Sequence, residues 1–85
     1  MNIKLIVSQN CKACERAKET LESINLRNYK IYFETIDIKS YNEKNISITP
    51  ALIIDDKIFS YGDIDIQKLN KKISGGSFAI YQNNQ

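Results

Sequence analysis

The hydrophobic pattern changes its period at Cys11, and this change constrains the fold more than any other feature of the chain. Residues 3–7 (I-K-L-I-V) form a short β-branched and apolar run, which the polar residues beginning at Ser8 end. A run of this length and boundary favours a buried strand over a helix. The pattern therefore predicts a strand that leads directly into the segment holding both cysteines.

A helical period follows from Cys11 onward. Apolar positions recur at steps of three and four residues, namely Cys14, Ala17, Leu21 and Ile24. Charged residues fill the positions between them, as on the solvent face of an amphipathic helix. We expect a helix of about four turns that ends near residues 26–28.

Residues 30–38 (K-I-Y-F-E-T-I-D-I) are rich in β-branched and aromatic side chains and predict a second strand. A strand, a helix and a strand in this order form a βαβ unit, whose two strands are parallel and whose crossover is right-handed. Residues 39–47 are polar and weakly periodic, which indicates a short helix or a loop.

A hairpin is predicted downstream of Thr49-Pro50. Two apolar runs, A-L-I-I and K-I-F-S-Y, are joined by Asp55-Asp56, a two-residue link of turn-forming residues. Gly62 then breaks the second run, and Asp63 is placed to cap the N-terminus of a last helix.

The last helix is expected to bury one stripe of side chains, consisting of Ile66, Leu69 and Ile73, and to end at the glycine pair 75–76. The resulting order, β-α-β-(α)-β-β-α, predicts an α/β protein with a mixed four-stranded sheet flanked by helices. We expect one domain over residues 1–74 and a flexible tail over 75–85.

Composition argues against several function classes. The formal charge of +2 comes from scattered residues and forms no basic cluster, so we expect no nucleic-acid binding. No segment approaches the roughly 18 apolar residues of a membrane span, and the N-terminal run is too short for a signal peptide. The expected location is the cytoplasm, with no membrane association.

Cys11 and Cys14 are the only cysteines, and the chain has no histidine. A structural staple is disfavoured, because cytosolic disulfides rarely persist and this loop is very short. A closed zinc site needs four ligands, so only a dimer that pools two C-x-x-C pairs could hold zinc or an iron–sulfur cluster. A redox pair is the third interpretation, and a neighbouring βαβ pattern favours it.

The helix start makes the two thiols unequal. Cys11 would lie in the first turn, where unpaired N–H groups and the helix dipole stabilise a thiolate. Lys12 adds positive charge, so we expect the pKa of Cys11 to lie below the value of about 8.5 for a free thiol. Cys14 faces the apolar stripe and should be less exposed and less ionised. One exposed nucleophile and one sheltered resolving thiol suit disulfide exchange.

The chain resembles the thioredoxin/glutaredoxin superfamily over residues 2 to about 74. C-K-A-C opens a helix after the first strand, I-T-P precedes the third strand, and Y-G-D follows the fourth. The resemblance implies that Pro50 is cis and packs against the redox disulfide. It also implies that the Thr49 backbone pairs with an extended substrate, that Gly62 allows close approach of backbone, and that Tyr61 lines the substrate groove.

The residues around the motif do not match either main branch of the superfamily. Lys12-Ala13 is neither the Gly-Pro of thioredoxins nor the Pro-Tyr of glutaredoxins, and Asn10 replaces the tryptophan-type lead-in of thioredoxins. Asp63 lies where an acidic residue could bind glutathione, although helix capping also explains it. The pattern looks most like small thioredoxin-like redox proteins of glutaredoxin size. Glu15 and Lys4 are candidate proton-handling groups, and both could equally be solvated charges.

The sequence thus predicts a thiol–disulfide oxidoreductase that acts as a monomer, without a cofactor or metal. Cys11 would attack protein disulfides and Cys14 would resolve the intermediate. The reductant would be an enzyme resembling thioredoxin reductase, or glutathione. Two alternatives stay open: a binding module or metal-bridged dimer without turnover, and a glutathione-dependent glutaredoxin.

Overall fold

A mixed four-stranded sheet lies at the centre of the computed structural model, which describes residues 2–24 and 32–78, with side chains described only as far as residue 73. The strands are β1 (Ile3–Val7), β2 (Phe33–Asp37), β3 (Ala51–Ile54) and β4 (Lys57–Tyr61). The helices are α1 (Lys12–Ile24) and α2 (Ile66–Phe78), with a short 3-10 turn at Ile38–Ser40.

The strand order is β2-β1-β3-β4. β1 runs parallel to β2 and antiparallel to β3, and β3 runs antiparallel to β4. Both the parallel pair and the hairpin were predicted, so the predicted α/β class with a mixed sheet is confirmed. The prediction for residues 39–47 is also confirmed, because the 3-10 turn there gives way to a loop.

One face of the sheet packs against both helices. The buried residues of this cluster are Ile3, Leu5, Ala17, Leu21, Ile24, Leu52, Ile54, Leu69 and Ile73. Three of them, Ala17, Leu21 and Ile24, belong to the stripe predicted for α1, which accounts for the amphipathic pattern of that helix. The predicted end of this helix near 26–28 lies outside the described residues, as do residues 30 and 31 of the predicted second strand.

The opposite face of the sheet is covered by the segment that links β2 to β3. Ile6, Tyr41, Ala51 and Ile53 are buried there, and Ile36, Ile38 and Ile46 pack against them. Because both faces are covered, all four residues of β3 are buried. This double burial explains why the A-L-I-I run is apolar without alternation.

Asp55 and Asp56 form the predicted two-residue turn between β3 and β4. Both have positive φ, at 50° and 67°, as the twist of a two-residue hairpin requires. Asp55 is held further by Asn2, whose backbone N–H donates to the Asp55 side chain at 2.8 Å. Within the hairpin the register shifts between Leu52 and Ile53, and Phe59 is the extra residue on β4.

The predicted cap of the last helix is wrong, because Asp65 caps α2 instead of Asp63. The Asp65 carboxylate accepts the N–H groups of Gln67 and Lys68 at 3.0 and 3.2 Å. Ile64, which precedes the cap, packs into the same cluster as Leu69, and these two positions are those of a hydrophobic staple. This packing places Asp65, and not Asp63, at the capping position of α2.

Two further details of the last helix differ from the prediction. Ile66 is 39% exposed, so it does not belong to the buried stripe with Leu69 and Ile73. The backbone continues helically through the glycine pair to Phe78, so the predicted stop at 75–76 is wrong. The remainder of the predicted tail, 79–85, lies outside the described residues.

An exposed ion pair connects α1 to the loop before α2. The Arg16 guanidinium donates to both oxygens of Asp63, at 2.9 and 3.2 Å. The hydrogen bond from Arg16 holds the pKa of Asp63 below its usual range and raises the pKa of Arg16. This bidentate contact joins residues 47 positions apart and brings the loop after β4 to the first turns of α1.

Replacing the observed cap should destabilise the protein. We expect Asp65→Ala to lower the free energy of unfolding by about 0.5–2 kcal/mol, because two N–H groups lose their acceptor. Asp65→Asn keeps an oxygen acceptor and should cost much less. Urea denaturation followed by circular dichroism measures both variants, and equal losses for Ala and Asn would contradict a capping hydrogen bond.

The Arg16–Asp63 pair should make stability depend on pH. Because the folded pKa of Asp63 is lowered, its contribution is present above the ordinary aspartate pKa of about 3.9 and is lost as pH falls through the folded value. Arg16→Gln should therefore be less stable than the parent at pH 7 and low salt, with the difference vanishing in strong acid.

Lys18→Gln is the matched control for that experiment, since it removes one positive charge from the same helix without breaking this pair. Urea midpoints for both variants, at pH 7 and below pH 3, test the assignment. A pH-independent loss in Arg16→Gln, or an equal pH-dependent loss in Lys18→Gln, would refute it.

Candidate redox site

Cys11 and Cys14 form a disulfide at the junction between β1 and α1, with their Cα atoms 5.2 Å apart. After β1 ends at Val7, the chain turns through Asn10, whose φ is 54°. Asparagine tolerates this left-handed conformation better than most residues. This turn places Cys11 immediately before the first helical residue, Lys12, one position ahead of the first turn in which the sequence predicts it.

The sulfur of Cys11 takes the place of a helix-capping oxygen. The backbone N–H of Cys14 donates to Cys11 Sγ at 3.0 Å, and the N–H of Glu15 donates to the Cys11 carbonyl at 3.2 Å. In the dithiol form, the same N–H group and the helix dipole would stabilise a thiolate at this position. The structure therefore provides a physical reason for a reactive Cys11.

The two cysteines differ in exposure. Cys14 is only 4% exposed and faces the core side of α1, whereas Cys11 is partly accessible. Asn10 and Lys12 are exposed beside them and Ala13 is partly buried, so the exposed residues around the motif surround Cys11. A substrate disulfide can therefore approach Cys11, whereas Cys14 is shielded from it.

The loop before β3 is joined to the segment before Cys11. The Thr49–Pro50 peptide bond is cis, as the resemblance implied. The hydroxyl groups of Ser8 and Thr49 are hydrogen-bonded at 2.7 Å. Gly62 donates its backbone N–H to the Pro50 carbonyl at 2.8 Å. Thr49, Pro50 and Gly62 are thus brought together, and Ser8 links them to the strand that precedes the cysteines.

Tyr61 ends β4 and Gly62 follows it, next to the loop that contains Thr49 and Pro50. Gly62 has a φ of +80°, and a Cβ added there would meet nothing within 4 Å. Its backbone conformation, and not crowding, therefore accounts for glycine. Tyr61 lies opposite Ala51, the residue that follows the cis-proline, and is 44% exposed. Their contacts with a substrate stay predictions.

An open cavity of about 210 Å³ lies beside the disulfide. Its lining residues are Val7, Ser8, Asn10, Cys11, Cys14, Glu15, Lys18 and Thr35. Both sulfur-bearing residues, one carboxylate and one ammonium group therefore share a single cavity. Lys4, the other candidate for proton handling, lies opposite Ile53 on the far face of the sheet and 3.7 Å from Glu43.

Sequence reasoning missed several residues that surround the disulfide. Ser8 was interpreted only as the end of a strand, and Thr35 as an ordinary strand residue. The sequence predicts Arg16 only as part of a solvent face, and Asp63 as a helix cap or as an acidic residue that could bind glutathione. The sequence contains no local signal for the Ser8–Thr49 and Arg16–Asp63 contacts, because the two residues of each pair lie 41 and 47 positions apart.

The residues that the structure describes contain neither a metal-binding cluster nor a membrane-spanning helix. No group of three or more His, Cys, Asp or Glu side chains there is arranged to hold a metal ion. None of the helices described is both long enough and apolar enough to cross a membrane.

Comparison with known proteins identifies the family. A family model described as a thioredoxin domain matches residues 1–74. Among solved structures, a mutant of the thioredoxin-like protein BC3987 superposes with a TM-score of 0.57 at 24% sequence identity. That alignment covers 81% of this chain and 95% of the other, and it supports the fold. No curated protein sequence matches significantly. The chain belongs to the thioredoxin-domain family.

Proposed function

We propose that this protein is a thiol–disulfide oxidoreductase that reduces or exchanges protein disulfides. The observation that carries the proposal is a pair of unequal cysteines in a thioredoxin domain. Cys11 is partly accessible and its sulfur accepts a helix N–H, whereas Cys14 is buried. Membership of the family and the disulfide pair support a redox role in general terms. The direction of reaction and the substrate class are inferred from the asymmetry of the two thiols.

The reaction begins from the dithiol. The Cys11 thiolate attacks one sulfur of a substrate disulfide, and the other substrate sulfur leaves as a thiolate. The product is a mixed disulfide between Cys11 and the substrate. Cys14 then loses its proton and attacks Cys11 Sγ, which breaks the mixed disulfide and releases the second substrate thiolate. The substrate gains two electrons, and the protein leaves with its Cys11–Cys14 bond formed.

The region beside Cys11 offers a place for an extended substrate. The hydrogen bond between Ser8 and Thr49 uses side-chain oxygens, which leaves the Thr49 backbone for pairing with a substrate strand. Tyr61, which is 44% exposed, lies at the end of β4 opposite Ala51 and is therefore close to both Pro50 and Gly62. We infer that these residues hold the peptide around the attacked disulfide.

Turnover requires an external reductant to regenerate the dithiol. We propose an enzyme resembling thioredoxin reductase, with glutathione as the competing candidate. The contact between Arg16 and both Asp63 oxygens disfavours glutathione, because an ammonium group of the ligand would have to displace the guanidinium. The proposed setting is a monomer in the cytoplasm that needs no cofactor and binds neither nucleic acid nor membranes.

The reactivity of the two thiols should differ near neutral pH. In reduced protein, we expect Cys11 to be alkylated by iodoacetamide at least about tenfold faster than Cys14, because only Cys11 is both accessible and stabilised as a thiolate. Mass spectrometry of peptides after timed quenching measures both rates. Equal rates, or faster modification of Cys14, would reverse the assignment of nucleophile and resolving thiol.

Single cysteine variants should separate the two steps. Cys14→Ser should accumulate a mixed disulfide with substrate, since nothing displaces the bound thiol, whereas Cys11→Ser should accumulate none. Non-reducing gels and intact mass of variants incubated with oxidised insulin measure the adduct. An adduct in Cys11→Ser but not in Cys14→Ser would contradict the mechanism.

The alternative functions give different results with the parent protein. Insulin reduction in the presence of dithiothreitol, together with a monomeric mass, supports the oxidoreductase. One zinc ion or cluster per dimer in anaerobically purified protein, without insulin reduction, would indicate the metal-bridged module instead. Turnover with glutathione but not with thioredoxin reductase would indicate the glutaredoxin.

A further inference from the structure

In the resolving step, Cys14 must lose its proton although its side chain is buried. Cys14 is 4% exposed and lies among apolar side chains of α1. Burial of this kind favours the neutral thiol over the thiolate. No charged side chain is buried anywhere in the described part of the chain. Any side chain that accepts the Cys14 proton must therefore come from the surface near the disulfide.

The cavity beside the disulfide contains such a group. Besides the two cysteines, the ionisable residues that line it are Glu15 and Lys18. Only the Glu15 carboxylate has lone pairs that can accept a proton, since a lysine ammonium has no acceptor site. The backbone of Glu15 is held by the helix, since its N–H donates to the Cys11 carbonyl at 3.2 Å, and residues four apart on a helix are neighbours on its surface.

The other charged groups near this end of the sheet are already engaged or face elsewhere. Asp63 has both oxygens bound by Arg16. Asp37 ends β2 beside Val7, but its carboxylate accepts the N–H of Lys39 at 2.8 Å. Lys4 and Glu43 lie on the far face of the sheet, and Lys12 is an exposed cation.

We propose that the Glu15 carboxylate is the general base that accepts the proton of Cys14 when Cys14 attacks the mixed disulfide. This inference rests on the proposed function. In the step, the Cys14 S–H bond breaks and its proton moves to a Glu15 oxygen, while Cys14 Sγ bonds to Cys11 Sγ. The bond from Cys11 to the substrate sulfur breaks, and the substrate leaves as a thiolate. That thiolate or water then takes the proton from Glu15.

The same carboxylate has an opposite effect on the first step. A negative charge beside Cys11 disfavours its thiolate, and the Lys18 ammonium in the same cavity offsets this repulsion. Removing the Glu15 charge should therefore help the attack by Cys11 and hinder the displacement by Cys14. A variant that merely damaged the fold would slow both steps.

Stopped-flow absorbance with 4,4′-dithiodipyridine separates the two steps on the reduced full chain. Attack by Cys11 releases one thiopyridone, and displacement by Cys14 releases the second. We expect Glu15→Gln to slow the second phase by about 10²-fold, the lower end of general-base effects, without slowing the first. Glu19→Gln is the matched control, because this exposed glutamate of α1 lies outside the cavity.

The pH dependence provides a readout that a structural role would not change. With the base in place, the second-phase rate should change little with pH around neutrality. Without it, the rate should follow the thiolate fraction and rise about tenfold per pH unit. Added formate should partly restore the second phase of Glu15→Gln and leave Glu19→Gln unchanged.

Each outcome has a distinct meaning. A second phase in Glu15→Gln as fast as in the control, with the same pH profile, would overturn the role of Glu15. A parent protein that lacks two sequential releases, or a Cys14→Ser variant that keeps the second one, would overturn the proposed function itself. Slower second phase, steeper pH dependence and rescue by formate would together support the inference.

Discussion

The reversal of the chain between β1 and α1 is the constraint on which the site depends. A parallel strand pair requires the helix between its strands to pack on one sheet face, so α1 must begin near the end where β1 stops. The helix N-terminus, with its unpaired N–H groups, is thereby placed beyond the carboxyl end of β1. Cys11 occupies that position, and its sulfur accepts the N–H that a capping oxygen would otherwise accept.

The rest of the fold holds the partners of this helix start in place. β1 and β3 are the two central strands, and the loops that extend from them carry Ser8 and Thr49, whose hydroxyl groups are bonded to each other. The loop after β4 is held from two sides, by the Pro50 carbonyl and by Arg16. The redox bond is therefore flanked by segments that rigid central strands position, although the flanking residues themselves lie in loops.

Elements defined by local periodicity could be predicted from the sequence. The apolar run at 3–7, the stripe of α1 and the two-aspartate turn each depend on neighbours a few positions apart, so their patterns were sufficient. Residues with distant partners could not be assigned in this way. Asp63 and Asp65 are both suitable caps by type; the packing of Ile64 into the core and the engagement of Asp63 by Arg16 determine which one caps α2. The glycine pair at 75–76 is a weak local signal that the longer helix overrides.

The irregular register of the hairpin has a consequence for self-association. β4 is an edge strand, and Ile58 and Tyr61 on it are 41% and 44% exposed. A regular edge of this kind would offer its free backbone groups to a second copy of the chain. The extra residue at Phe59 interrupts the regular spacing of those groups and increases the local twist, while Lys57 adds a charge at the start of the strand. The bulge thus leaves Ile58 and Tyr61 accessible while discouraging edge-to-edge aggregation of the protein.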